Sequence, residues 1–158
     1  MKVAECMKRN VYSIPLSATV AEAAGRFTAH HIGTLPVVED DGRLVGILPL
    51  GDLLALVMPS FVQLLDDFGF VEDFGLLEDQ RPGPEVMARP VSAVMQPPLS
   101  VEESCGLLRA FALMRKHDLH DLPIVNKQGQ LVGIVSRVDI GTALLSKWRQ
   151  ANVSTGAW

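Results

Sequence analysis

The chain contains one pattern twice, and that constrains its fold more than any other feature. The segment HHIGTLPVVEDDGRLVGILPLGDL, from His30, aligns without a gap on HDLHDLPIVNKQGQLVGIVSRVDI, from His117, at an offset of 87 residues. Residues 11–57 and 98–144 share 13 identities in 47 positions, among them Ser13, Leu35, Pro36, Gly42, Gly46, Ile47 and Asp52 of the first copy. Average composition gives about three by chance, so the reading is duplication of one unit.

Each copy predicts the same order of elements. A short extended piece, Val11–Ile14 or Leu99–Val101, comes first. A helix follows, over Val20–His30 in copy one, where Thr19 and Glu22 have capping-box spacing, and over Cys105–His117 in copy two. Two β-rich runs come next, Leu35–Val38 with Leu44–Leu48 and Leu122–Val125 with Leu131–Val135. Gly42 and Gly129 close the turns between them, where a left-handed backbone suits glycine. A second helix starts near Asp52 or Asp139, the latter running to Gln150. A β-α-β-β-α unit of about 50 residues cannot bury much alone. Runs such as PVV and LVGIL are also too continuously apolar for a sheet with one wet face. The expected fold is therefore α/β (α+β-like), with the two repeats packed sheet to sheet and the helices outside.

That leaves a first repeat at 1–57, a second at 87–150, a flexible tail at 151–158 and an insert at 58–86. From Ser60 to Glu85 there are seven acids and one base, for a net charge of −6, against −4 for the whole chain. Apolar residues from Phe61 to Leu77 recur at threes and fours, an amphipathic helical pattern. The insert reads either as an extension of the copy-one helix with a solvated acidic face or as a partner-docking or dimerising arm.

Charge and motif content narrow the function classes. A net charge of −4 and a single tyrosine make a poor platform for nucleic acid. The longest apolar stretch, Leu44–Met58, is broken by Pro49, Gly51 and Asp52 and is too short to span a membrane. The N-terminus has no apolar run of the kind that exports a chain. Cys6 and Cys105 make neither a disulfide framework nor a metal-ligand spacing, so a cytoplasmic, reduced setting is expected. No Walker, HExxH or Rossmann glycine pattern is present, and no catalytic or metal residues are assigned. His30, His31, His117 and His120 sit at helix ends, where packing or cleft polarity explains them better than catalysis.

LPVVEDDGRLVGILPLGDL at Leu35 and LPIVNKQGQLVGIVSRVDI at Leu122 resemble the recurring core of cystathionine-β-synthase (CBS) domains, which occur in tandem as Bateman modules. The family pattern is Gly, an apolar residue, any residue, Ser or Thr, two more residues, then Asp. Copy two matches it from Gly133 through Ser136 to Asp139, whereas copy one has Pro49 in place of the hydroxyl before Asp52. Met7 and Met95 resemble the family's lead-in methionines, and the acidic insert resembles that of stand-alone bacterial pairs. The resemblance implies a homodimeric regulatory module that senses AMP, adenosine, ATP or S-adenosylmethionine and acts on a separate effector protein. It implies no obligatory cofactor and no catalysis.

The resemblance also places a cleft. Asp139 would accept the ribose hydroxyls, or alternatively cap its helix. Ser136 would donate to a first phosphate, with Arg137 nearby, or alternatively satisfy a turn amide. The base would lie against Met7, Tyr12, Ile32 and Gly33 of the other repeat, residues that core packing explains about as well. Asp121 stands where tight phosphate binders of the family often carry a base, which argues against ATP. A mirror site would use Asp52 and His120, with Leu99 and Leu119, and is expected to be weaker or empty because of Pro49. The competing expectation is a structural or interaction protein with a vestigial cleft, contacting its partner through the insert.

Overall fold

The computed structural model describes residues 1–57 and 81–155, with 151–155 as backbone only. The first repeat contains β1 (Ile14–Pro15), α1 (Val20–His30), β2 (Thr34–Val38), β3 (Leu44–Pro49) and α2 (Leu50–Ala55). A short helix α3 (Pro84–Met87) precedes the second repeat, which contains β4 (Val101–Glu102), α4 (Leu107–Lys116), β5 (Asp121–Val125), β6 (Leu131–Ser136) and α5 (Arg137–Thr155). Most of the expected amphipathic helix of the insert lies at 58–80, outside the described residues, as do 156–158 of the tail.

Each repeat forms a three-stranded sheet in sequence order, its first two strands parallel and its last two antiparallel. The registers superpose at the sequence offset: Ile14 pairs Val37 as Val101 pairs Ile124, and each middle strand has its irregularity at the same place. Gly42 and Gly129 take φ of 85° and 79°, the left-handed backbone their turns require. The Thr19–Glu22 capping box forms, with Glu22 N–H donating to Thr19 Oγ1 at 3.2 Å and Thr19 N–H to Glu22 Oε2 at 2.7 Å, and α1 has its expected bounds. Helix α4 starts two residues late, after Gly106, which offers no side-chain cap. Helices α2 and α5 start ahead of their aspartates, which places Asp52 and Asp139 inside the first turn.

The segments that lead into the repeats are exchanged. Val3 N–H donates to Cys105 carbonyl oxygen at 2.9 Å, and Lys8 and Ile134 exchange backbone hydrogen bonds of 2.8 and 2.9 Å. In the other half, Val91 N–H donates to Ala18 at 2.7 Å, and Gln96 and Ile47 exchange bonds of 2.8 and 3.1 Å. Burial follows the exchange: Val3 lies in the core with Leu107, Met114, Leu122 and Ile124, and Val91 lies with Ile14, Phe27, Leu35 and Leu48. Ile47, from β3, joins the second repeat's core, and the hairpin turns pair through Arg43 and Gln130. The repeats are therefore one interlocked unit, with the paired-repeat architecture expected from the sequence.

Candidate functional site

The start of α5 is built by three hydrogen bonds. Ser136, the last residue of β6, donates to Asp139 Oδ2 from its backbone N–H at 2.9 Å and from its hydroxyl at 2.7 Å. Asp139 N–H in turn donates to Ser136 Oγ at 3.0 Å. This is a reciprocal capping arrangement, with Ser136 as the cap and Asp139 answering from the first turn. One carboxylate oxygen is thus spent on the helix. The other, Oδ1, lies 3.7 Å from Lys8 Nζ, with the Asp139 side chain 19% exposed and that of Lys8 65% exposed.

A cavity of about 340 Å³ opens between the repeats beside this corner, lined by Lys8, Tyr12, His30, Ile32, Gly33, Thr34, Asp121 and Ile134 among others. Tyr12 stacks on His30 with ring centroids 3.7 Å apart and planes 12° from parallel. A Cβ on Gly33 would sit 3.2 Å from Asp121 Oδ2, so the carboxylate lies directly over that glycine. Burial pushes the Asp121 carboxyl above its ordinary range and the Asp139 charge adds to this, while the Thr34 hydroxyl, His120 and Lys8 pull it down. Burial, then Asp139 and Glu5, push the Cys6 thiol up as well. Larger hollows of about 430 and 450 Å³ lie against Glu39–Asp41 and along α1, and neither includes Lys8, Gly33 or Asp121.

The structure brings Tyr12, Ile32 and Gly33 into one cavity, with Ser136 and Asp139 linked to it through Lys8. Met7 and Gly133 stand behind it as a packing pair. A Cβ on Gly133 would come within 3.0 Å of both Met7 Sδ and Lys8 carbonyl oxygen, so glycine lets the exchanged segment lie flat on β6. Arg137 is turned away, its guanidinium donating to the carbonyls of Leu119 at 2.7 Å and Met114 at 3.2 Å and pairing with Asp118 at 3.5 Å. His120 is exposed, and its carbonyl accepts Arg137 N–H at 3.0 Å.

In the mirror position Asp52 Oδ2 accepts from Gln96 Nε2 at 2.8 Å, and Pro49 provides no side-chain cap to α2. Leu119 is buried in the core and Leu99 packs against it. Gln96 follows Met95 as Lys8 follows Met7, so the two halves differ by an ammonium as well as a hydroxyl. Lys8 was missed in the sequence. Aligning the two lead-ins on their methionines identifies it; the alignment of the repeats proper begins after it. Among the described residues no group of three His, Cys, Asp or Glu side chains can hold a metal, and no helix is long and apolar enough to cross a membrane.

Two duplicated βαββα units with exchanged lead-ins and a cleft between them define a paired-repeat module. The CBS domain model matches residues 3–59 and 91–146, and the chain belongs to that family. It is 31% identical over 139 residues to a CBS domain-containing protein of Dictyostelium discoideum, covering 87% of each chain. A Methanocaldococcus jannaschii protein is 31% identical over 143 residues, covering 88% of this chain but 31% of that one. The solved structure of the CBS-pair protein CBSX2 from Arabidopsis thaliana superposes with a TM-score of 0.72 at 27% identity, over 94% of this chain and 96% of that one. A structure of CBSX2 in complex with AMP superposes with a TM-score of 0.68 at 26% identity, over 92% and 96% of the two chains.

Proposed function

We propose that this chain is a regulatory module that binds an adenosine-containing ligand (AMP, adenosine, ATP or S-adenosylmethionine) in the Asp139 cleft and acts on a separate partner protein. One observation carries the reading. Asp139 is held through Oδ2 by Ser136, while its Oδ1 faces Lys8, which lines a cavity walled by Tyr12, Ile32 and Gly33. A nucleoside needs those parts: an acceptor for vicinal hydroxyls, an apolar slot for the base and a close backbone approach at its edge. Lys8 shares Oδ1 and is mostly exposed, so it can swing aside or meet a phosphate. The AMP complex of CBSX2 supports the same ligand chemistry. The module is proposed to work as a cytoplasmic homodimer of the stand-alone bacterial kind, with the repeats divided at 1–57 and 87–150.

Calorimetric titration of ligand-free protein with AMP and with adenosine tests the reading. It predicts saturable binding near one site per chain. Absence of heat and of competition for all four ligands would favour the second reading, a partner-binding scaffold with a vestigial cleft. Pro49 and Asp121 are what favour that alternative. Under it, deleting 60–85 abolishes partner capture.

A further inference from the structure

We propose that Lys8 is an internal occupant of the Asp139 acceptor, a loose counter-ion that a ligand with neighbouring hydroxyls must displace; this rests on the nucleoside reading above. The count of acceptor sites carries it. A carboxylate offers about four lone-pair sites. At Oδ2 they are taken by the Ser136 backbone N–H at 2.9 Å and the Ser136 hydroxyl at 2.7 Å. The sites that remain are at Oδ1, and the Lys8 ammonium stands 3.7 Å from that oxygen. A pair of neighbouring hydroxyls needs both of them, so ligand and ammonium compete for one atom.

The other half of the molecule does the same with a different residue. Lys8 exchanges backbone hydrogen bonds with Ile134, and Gln96 exchanges them with Ile47, the equivalent of Ile134 at the 87-residue offset. From that shared place Gln96 Nε2 donates to Asp52 Oδ2 at 2.8 Å. In both halves the residue after the lead-in methionine reaches the aspartate of the closing helix. The two occupants differ in grip. The Gln96 contact is a hydrogen bond of ordinary length. Lys8 stands beyond that length, with its side chain 65% exposed, and its flexible stem can pivot while its backbone stays pinned. An exposed ion pair of this kind is weak and screened by salt. Asp121 lines the same cavity and interacts with Lys8, so an ammonium that leaves Asp139 keeps a counter-charge nearby.

The test is titration of the full chain with adenosine, which is uncharged, at about pH 8, where carboxyls are ionised. Lys8→Met keeps the length of the side chain and removes the ammonium. It should tighten adenosine binding by about two- to fivefold. A Lys8 that served as a ligand contact would give the opposite sign. In the unaltered chain, raising the salt from about 50 to about 500 mM should tighten adenosine binding about twofold, independently of how the variant folds, and Lys8→Met should lose that gain. Weaker or unchanged binding by Lys8→Met, or a salt response that is absent from the unaltered chain or equal in both proteins, overturns the internal occupant while leaving the nucleoside site standing. No adenosine binding by either protein overturns both.

Discussion

Asp139 and Asp52 occupy equivalent places in two copies of one unit, and their polar neighbours differ. Asp139 has the Ser136 hydroxyl and amide on one oxygen and the Lys8 ammonium near the other. Among the described residues Asp52 has the Gln96 amide alone. Binding should therefore be lopsided: Asp139→Ala is expected to weaken adenosine binding by about tenfold or more, each charge-assisted bond being worth about 1.5–3 kcal/mol, and Asp52→Ala much less. Equal losses in a titration of both variants would contradict this. Asp121 gives a pH signature. Its folded carboxyl titrates above its unfolded value, so the stability of the neutral form is fully present below the unfolded value and is lost as pH rises through the folded one. Asp121→Asn stays neutral, so its melting temperature should gain on the natural chain as pH rises from about 3 to about 7. A difference that shrinks over that range would contradict the assignment. At this scale the repeat motif singled out Asp139, Ser136 and Asp121. What it left open was direction: the guanidinium of Arg137 follows the carbonyls at the end of α4, and a motif does not show that.

Among the elements, the best-read boundary is that of α1, because Thr19 and Glu22 satisfy its first amides from within four residues of sequence. Helix α4 begins at Leu107, the repeat equivalent of Val20 in α1, with Gly106 at the cap position that Thr19 fills in copy one but with no side chain to bond the first amides. The pair makes a reciprocal prediction. Thr19→Ala should lower stability by about 1 kcal/mol, while Gly106→Ser should raise it by a few tenths, since a Cβ there meets nothing within 4 Å. Urea midpoints moving the same way for both variants would show that capping does not set these helix starts. The first strands of the repeats came out shorter and later than their apolar runs, at Ile14–Pro15 and Val101–Glu102. The exchanged lead-ins were not legible at all. They have no periodicity of their own, and their partners lie in the other repeat, Cys105 and Ile134 for the first and Ala18 and Ile47 for the second.

For the molecule as a whole, the exchange turns two small repeats into one cooperative body, because each core includes a valine from the other copy's lead-in. Removing residues 1–8 takes Val3 from the second repeat's core and several backbone bonds from its edge. At about 2 kcal/mol for the valine and about 0.5–1 kcal/mol for each of the five bonds to the second repeat, the loss is about 5–7 kcal/mol. The melting temperature should then fall by about 10–20 °C in a single transition. Two transitions, or melting of the second repeat alone, would contradict interlocking. The same architecture puts the cleft between the copies, where a ligand would bridge the exchanged lead-in, the end of α1 and the start of α5. The most direct test of that placement is amide hydrogen exchange of the full chain with and without saturating adenosine. Slowed exchange is expected at 8–12, 30–34 and 134–139, with little change at 47–52 and 96. Protection centred on 47–52, or none in the presence of the ligand, would contradict it.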